Sequence, residues 1–349
     1  MNFKIGNREL GVGCPVFVIA ELSANHNQNL QLALDTVKAA ADCGADAIKL
    51  QHYKPDTITI DSDREYFQIK QGTIWDGTTL YKLYQKAFMP WEWTEAIINE
   101  AEKCGLLCFS SPFDFTAVDF LQAFNSPAYK IASFEITDIP LIRYVASKMK
   151  PVIISTGIAG KEDIELALNT CREEGNNQVA LLKCTSSYPA PFEGMNLQTI
   201  PDMASRFNVI SGLSDHTMGT SVPLASVALG AKIIEKHFIL DRNLGGPDSS
   251  FSLNPQEFMT MVNSIREVEK ALGKVSYELS DKDLKSREFS RSLFVVRDMK
   301  KGEIITSENV KSIRPGYGLH PKYYKDILGK KVNMDLQFGT PLQLEFIVQ

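Results

Sequence analysis

From residue 15 to about residue 272, short β-branched or apolar runs alternate with longer amphipathic stretches, the pattern of repeated βα units around a parallel sheet. Eight runs read as strands: PVFVIA (15–20), DAIKL (46–50), LLCFS (106–110), AYKIA (128–132), PVIIST (151–156), VALLKCT (179–185), VISGLS (209–214) and AKIIEKHF (231–238). Between them the apolar positions change to helical spacing, as in LQLALDTVKAAADCG (30–44), WEWTEAIINEAEKCG (91–105) and KEDIELALNTCREEG (161–175). Each of these closes on glycine, which most easily takes the left-handed conformation that ends a helix. Eight such units predict a closed (β/α)8 barrel of the TIM type. An open doubly wound sheet is the alternative, but it usually begins with a glycine-rich turn, whereas the first strand here runs into ELSANHNQN. A last helix over 255–272 completes the outer ring.

Beyond that helix the character changes. A charged stretch, YELSDKDLKSREFS (277–290), reads as a linker, and short strands and turns follow to the end of the chain. The division expected is a barrel over 1–276, a linker over 277–290 and a compact module over 291–349. That module is too small to stand far from a partner surface without help. With 349 residues, 44% hydrophobic and 23% charged, the chain has room for these two domains and an ordinary globular makeup.

Composition also excludes several classes. No run approaches the roughly 18 consecutive apolar residues that span a bilayer, and MNFKIGNREL lacks the apolar core of a signal peptide. A cytoplasmic location is expected, with no membrane partner. The six cysteines (Cys14, Cys43, Cys104, Cys108, Cys171, Cys184) form no C-x-x-C pair, so neither a zinc knuckle nor a disulfide framework is indicated. A formal charge of −5 without a sustained basic block leaves no footprint for nucleic acid. A small molecule is the expected ligand.

In such a barrel the reactive groups project from the C-terminal ends of the strands, and several strands end in polar residues. These are Glu21; Lys49 and Gln51; Ser111; Lys130, Ser133 and Glu135; Ser155 and Thr156; Lys183, Thr185, Ser186 and Ser187; Ser214 and His216; and His237. Lys49 and Lys130 lie within apolar strands, where an ammonium must meet a carboxylate or bind an anion. Each alone could be a structural ion pair. With Ser133, Ser155, Ser186 and Ser214 they outline a ring of donors suited to a phosphate and a carboxylate, as in phosphoenolpyruvate. His216 and His237 end consecutive strands, so both imidazoles can reach one divalent ion and leave positions open. A lone histidine is more often a satisfied core residue. His52 is the natural decoy, and His26 either orients Glu21 or orders its own turn.

The segments IAELSANHNQN, AIKLQ, SSPFD, KIASFEITD, ISTG, CTSSYPAP, GLSDHT, EKHF and GGPDSSFSL resemble, in order, the sialic acid synthase family. Arg291-Ser292-Leu293 with KKGEIIT and IRPGYGL resembles that family's C-terminal antifreeze-like (SAF, β-clip-type) domain, so the resemblance covers almost the whole chain. KIASFE, GTIWDG (72–77) and CTSSYPAP are most similar to the pseudaminic acid branch. The resemblance implies that His216 and His237 hold a divalent metal (Mn2+, Mg2+ or Co2+). It implies that Lys49, Lys130, Ser133, Ser155 and Ser214 bind phosphoenolpyruvate, and Ser111 joins the substrate-binding set from its rim position. Ser186 falls where many relatives have Asn. Glu21 is implied as the acid/base or water-positioning group, and Gln51, Phe113, Glu135, Tyr188 and Asp248 as contacts of an N-acetylated amino-hexose. Phe134 is expected in an apolar wall for the acceptor's 6-deoxy end.

Arg314 matches an arginine that reaches the neighbouring subunit's active site, which implies a domain-swapped homodimer. The activity implied is condensation of phosphoenolpyruvate with 2,4-diacetamido-2,4,6-trideoxy-altrose. N-acetylmannosamine is the alternative acceptor. The rival chemistries are a Schiff-base aldolase using Lys130 or Lys183 and a non-catalytic sugar- or ice-binding protein, and the latter would leave the donor ring unused.

Overall fold

The computed structural model describes residues 2–70 and 72–348. The chain divides into two compact units, Met1–Gly273 and Lys274–Gln349. In the first, a hairpin of β1 (Asn2–Ile5) and β2 (Arg8–Gly11) precedes eight parallel strands: β3 (Phe17–Glu21), β4 (Ala47–His52), β5 (Leu107–Pro112), β6 (Tyr129–Ile131), β7 (Val152–Ser155), β8 (Val179–Cys184), β9 (Ile210–Asp215) and β10 (Ile233–His237). They pair in sequence order, and β10 closes on β3 with Ile233 opposite Phe17 and His237 opposite Glu21. The eight expected strands are thus the eight staves of a closed barrel. Helices Leu30–Asp42, Thr94–Lys103 and Lys161–Glu173 end just before Gly44, Gly105 and Gly175, each at φ between +75° and +83°.

Alternation along each strand sorts the side chains between two environments. Phe17, Ile19, Ala47, Phe109, Ala128, Ile153, Ala180, Leu182, Ile210 and Ile233 share one apolar cluster inside the barrel, and Phe3, Ile5 and Leu10 of the hairpin pack into it. The hairpin, which the strand pattern did not reveal, therefore plugs the N-terminal end. The other parity, including Val18, Ala20, Ile48, Leu50, Leu213 and Ile234, packs against the helices. Helix Pro255–Leu272 presents Phe258, Met261, Val262 and Ile265 to that layer, each side chain worth roughly 1.5–3 kcal/mol when fully buried. Its start is set by a capping box between Asn254 and Glu257. At Gly212 an added Cβ would lie 2.3 Å from the Ile233 carbonyl, so β9 and β10 close on each other only with glycine there.

The second unit begins with the charged stretch, part of which forms a short helix, Asp281–Ser286, capped by Ser280. An antiparallel pair, β11 (Ser292–Val295) and β12 (Val310–Ile313), then frames its own core of Leu293, Val295, Met299, Ile305, Val310, Leu319, Ile327, Val332, Leu336, Leu342 and Ile347.

Candidate active site

Carrying the inward parity up each stave turns the barrel interior from apolar to charged. Above Ile19 comes Glu21, above Ala47 comes Lys49, above Ala128 comes Lys130, and above Ile233 comes Glu235. All four are nearly fully buried. Lys49 Nζ lies 2.5 Å from Glu21 Oε2 and 3.8 Å from Glu235 Oε1, and Lys130 Nζ lies 3.6 Å from that same Glu235 oxygen. Ser214 Oγ donates to Glu235 Oε1 at 3.2 Å, and Lys49 Nζ donates to Ser111 Oγ at 3.2 Å. Both lysines therefore meet carboxylates, as buried ammonium groups must.

The two carboxylates are held differently. Burial pushes the Glu21 carboxyl up to about 7, with Lys49 opposing and Glu235 adding to the rise. Burial also opposes the charge on Glu235, but Lys130 and Lys49 outweigh it and hold that carboxyl below its usual range. Burial lowers the Lys130 ammonium, with Glu235 partly restoring it. At Lys49, burial is outweighed by Glu21 and Glu235, and the ammonium is raised. Gln51 orients Glu21: its amide nitrogen donates to Glu21 Oε1 and to Ser23 Oγ, each at 3.0 Å. Ser23 Oγ donates in turn to Asp248 Oδ2 at 2.5 Å.

A group of hydroxyls lies at the C-terminal ends of β6, β7 and β8. Ser186 Oγ donates to Ser133 Oγ at 2.8 Å, and Ser133 Oγ also accepts from the Ile158 backbone N–H at 3.1 Å. A Cβ on Gly157 would come within 2.2 Å of Ser186 Oγ and 2.5 Å of Ser133 Oγ. Glycine there lets the backbone approach the hydroxyls. Ser155 Oγ, Thr185 Oγ1, Glu135 Oε2, Glu235 Oε2 and His237 Nδ1 are buried without a hydrogen-bond partner. Each such group costs about 1–3 kcal/mol in a folded interior. Their gathering at the C-terminal ends of neighbouring strands marks a ligand site.

The histidine rings stand 5.3 Å apart. His216 Nδ1 lies 3.0 Å from the Thr185 carbonyl; burial opposes its charge, but Cys184 and the Thr185 carbonyl outweigh burial and raise it. In the neutral tautomer that donates through Nδ1, the Nε2 lone pair is available to a metal. Burial first, and then His216 and the lysines, push His237 well below its usual range, so it is a neutral ligand-type imidazole. This donor set fits a divalent ion. Among the described residues no three His, Cys, Asp or Glu side chains form a complete metal cluster, so an ion here would keep positions for water or substrate.

Aromatic rings flank the histidines. Tyr188 lies 4.4 Å from His216 and 5.1 Å from Phe251, which lies 4.9 Å from His237. Trp75 packs 5.3 Å from Tyr188 and 6.4 Å from Phe251. On another side Tyr53 meets Phe113 at 5.2 Å and Tyr84 at 5.5 Å. Burial raises Glu135, with Lys130 opposing, to about 7, and it raises Asp248 as well.

Not every candidate joins this group. His52 points outward: its ring nitrogens contact Ser110 Oγ at 2.7 Å and Thr94 Oγ1 at 2.8 Å, and burial lowers it to about 3. His26 accepts from the Gln28 N–H at 3.1 Å and so orders its own turn. Lys183 has the outward parity and donates to the Cys184 carbonyl at 2.7 Å. Phe134 is 58% exposed. Arg314, expected in a neighbouring subunit's site, follows β12 in the second unit and is exposed within it. Sequence reasoning missed Glu235, Gly157, Trp75, Phe251 and Ser23. For Glu235 the signal was present, since it shares β10 and its inward parity with His237.

A parallel (β/α)8 barrel with lysines, hydroxyls and paired imidazoles gathered at the C-terminal ends of its strands has the layout of an enzyme of the TIM-barrel class. Comparison with known proteins narrows the class. Residues 36–277 match the NeuB family and residues 290–348 match the SAF domain. A pseudaminic acid synthase of Campylobacter jejuni is 50% identical over 328 residues, covering 94% of this chain and 95% of that protein. One from Helicobacter pylori is 46% identical over 334 residues, covering 95% and 98%. Among solved structures, the N-acetylneuraminic acid (sialic acid) synthetase of Leptospira borgpetersenii in complex with citrate is similar with a TM-score of 0.73 at 31% identity, over 82% of this chain and 95% of that one. The chain belongs to the NeuB family and carries a C-terminal SAF domain.

Proposed function

We propose that this enzyme condenses phosphoenolpyruvate with 2,4-diacetamido-2,4,6-trideoxy-altrose, giving pseudaminic acid and inorganic phosphate. The observation that carries the reading is the buried Lys49–Glu21–Glu235–Lys130 cluster beside paired imidazoles, in a chain half identical to two synthases of that name. Lys49 and Lys130 bind the carboxylate and phosphate, with Ser111, Ser133, Ser155, Ser186 and Ser214 completing the donors. His216 and His237 would hold a divalent ion, Mn2+, Mg2+ or Co2+, which when bound polarises a carbonyl oxygen. C3 of phosphoenolpyruvate forms the new bond to the acceptor's aldehyde carbon, and the resulting cationic C2 is stabilised by the surrounding carboxylates. Water adds at C2, and cleavage of the C2–O bond releases phosphate. Glu21, poised near neutrality and held by Gln51, takes one proton from the adding water; one proton is returned to the former aldehyde oxygen, which becomes a hydroxyl, and the second water proton leaves with the phosphate as the C2 carbonyl forms.

Gln51, Phe113, Glu135, Tyr188 and Asp248 line the acceptor side. Arg314 is assigned, by the family resemblance, to the neighbouring subunit's site in a swapped homodimer. No helix among the described residues is long and apolar enough to cross a membrane.

Phosphate release from phosphoenolpyruvate, measured with the diacetamido altrose and with N-acetylmannosamine, tests the reading. Turnover should strongly favour the altrose. Equal or better use of N-acetylmannosamine favours a sialic acid synthase with the same mechanism, and no phosphate release with either sugar refutes the condensation. Borohydride trapping with pyruvate should give no adduct. Lys183 faces away from the cluster, and Lys130 is held by Glu235.

A further inference from the structure

We propose that Trp75 selects the far end of the acceptor, accepting a methyl group at C6 and disfavouring a hydroxymethyl. The inference rests on the condensation proposed above. His216 and His237 mark the reacting carbonyl, Tyr188 and Phe251 pack on them, and Trp75 packs on Tyr188 and Phe251 in turn. The indole therefore stands one ring further out than Tyr188 and Phe251 from the histidines, and under this proposal the far end of an open-chain hexose lies against it.

Two features fix what the indole offers. Its Nε1–H donates to the Pro247 carbonyl at 2.9 Å, one residue before the buried Asp248. The only polar atom of the ring is thereby used, and the surface left for a ligand is purely apolar. Hydrogen bonds among the described residues around it hold the backbone of Trp75. The Gly72 and Thr73 N–H groups each donate to the Asp76 carboxylate at 2.9 Å, the Ile69 N–H donates to the Thr78 carbonyl at 2.9 Å, and the Gly77 N–H donates to the Ile69 carbonyl at 3.1 Å. A methyl group against this wall loses nothing. A hydroxyl there gives up its hydrogen bonds to water without replacement, which costs binding. Phe134, the residue the sequence offered for this wall, is mostly exposed.

The test compares two acceptors that differ at C6 alone, 2,4-diacetamido-2,4,6-trideoxy-altrose and its 6-hydroxy counterpart, in the wild type, Trp75→Ala and Trp75→Phe. The readouts are kcat/KM for each sugar and, independently of turnover, each sugar's Kd by calorimetry with inorganic phosphate in place of phosphoenolpyruvate, so that no condensation can occur. The wild type should prefer the 6-deoxy sugar by at least about tenfold, the range expected for one group in an apolar pocket. Trp75→Ala should bring the two sugars to within about threefold of each other with the KM for phosphoenolpyruvate unchanged, and Trp75→Phe should restore most of the preference. A preference that survives Trp75→Ala overturns the assignment of Trp75 and leaves the condensation standing. Equal weakening of both sugars reduces Trp75 to a loop anchor and likewise overturns it. A wild type that neither binds nor uses either sugar overturns the acceptor reading and the selection by Trp75 together.

Discussion

Glu235→Gln isolates the charge that holds the two lysines. The side chain keeps its size and its contact with Ser214, but Lys49 and Lys130 lose a common counter-ion at 3.8 and 3.6 Å. At an effective dielectric near 20, each of those pairs attracts by about 4–5 kcal/mol. Part of that attraction only offsets the cost of burying the charges, so removing one partner of a buried pair leaves a net loss of about 3–5 kcal/mol. Lys49 retains Glu21 at 2.5 Å, which places the expected loss at the lower end, about 3 kcal/mol. For a unit of this size that lowers the barrel's Tm by roughly 6–12 °C. Thermal unfolding followed by circular dichroism, with and without phosphoenolpyruvate, is the assay. The ligand supplies the missing negative charge, so it should stabilise the variant more than the wild type. A variant within about 1 kcal/mol of wild type, or one stabilised by phosphoenolpyruvate no more than wild type, refutes the view that Glu235 holds the lysines in place of an anion.

Three further outcomes are expected. His237→Ala and His216→Ala should each lose high-affinity Mn2+ binding by calorimetry and most activity, whereas His52→Ala should keep Mn2+ binding and lose only stability; full turnover by His237→Ala in excess metal excludes the two-histidine site. Because the folded-state Glu135 carboxyl is raised to about 7 from 4.5, its contribution to stability is fully present below pH 4.5 and is lost as pH rises through 7. Up to about 3 kcal/mol is involved, and Glu135→Gln should flatten the fall in Tm between pH 5 and 8, a result that an unchanged slope would contradict. Co-expression of His237→Ala with Arg314→Ala should give about a quarter of wild-type activity from mixed dimers, with either variant alone nearly inactive; a verified heterodimer no more active than its parents means that Arg314 does not complete a partner's site.

How far the sequence could be read depends on which physical rule places each residue. A strand's period of two places a side chain relative to the barrel wall from its neighbours alone. That rule sends Glu21, Lys49, Lys130, Ser214 and His237 inward, and it also sends His52 and Lys183 outward. Applied to β10 it would have added Glu235, which the apolar run AKIIEKHF made easy to pass over as a single charge beside Lys236. Lys236 in fact takes the opposite face, where its ammonium pairs with Asp215 Oδ2 at 2.5 Å among fully buried atoms. The loops obey no such rule. Trp75 reaches the site because its indole N–H meets a carbonyl 172 residues away, and Phe251 because a short 3-10 turn, Ser249–Phe251, brings it back over β10. Such contacts have no local period, and only the assembled barrel brings their partners together. The same distinction bears on where variation should concentrate among proteins of this architecture. On the proposed reaction, inward residues of the staves would serve the reacting carbon and its anion, while residues placed by the loops could change the accepted sugar without disturbing the wall that holds the charges.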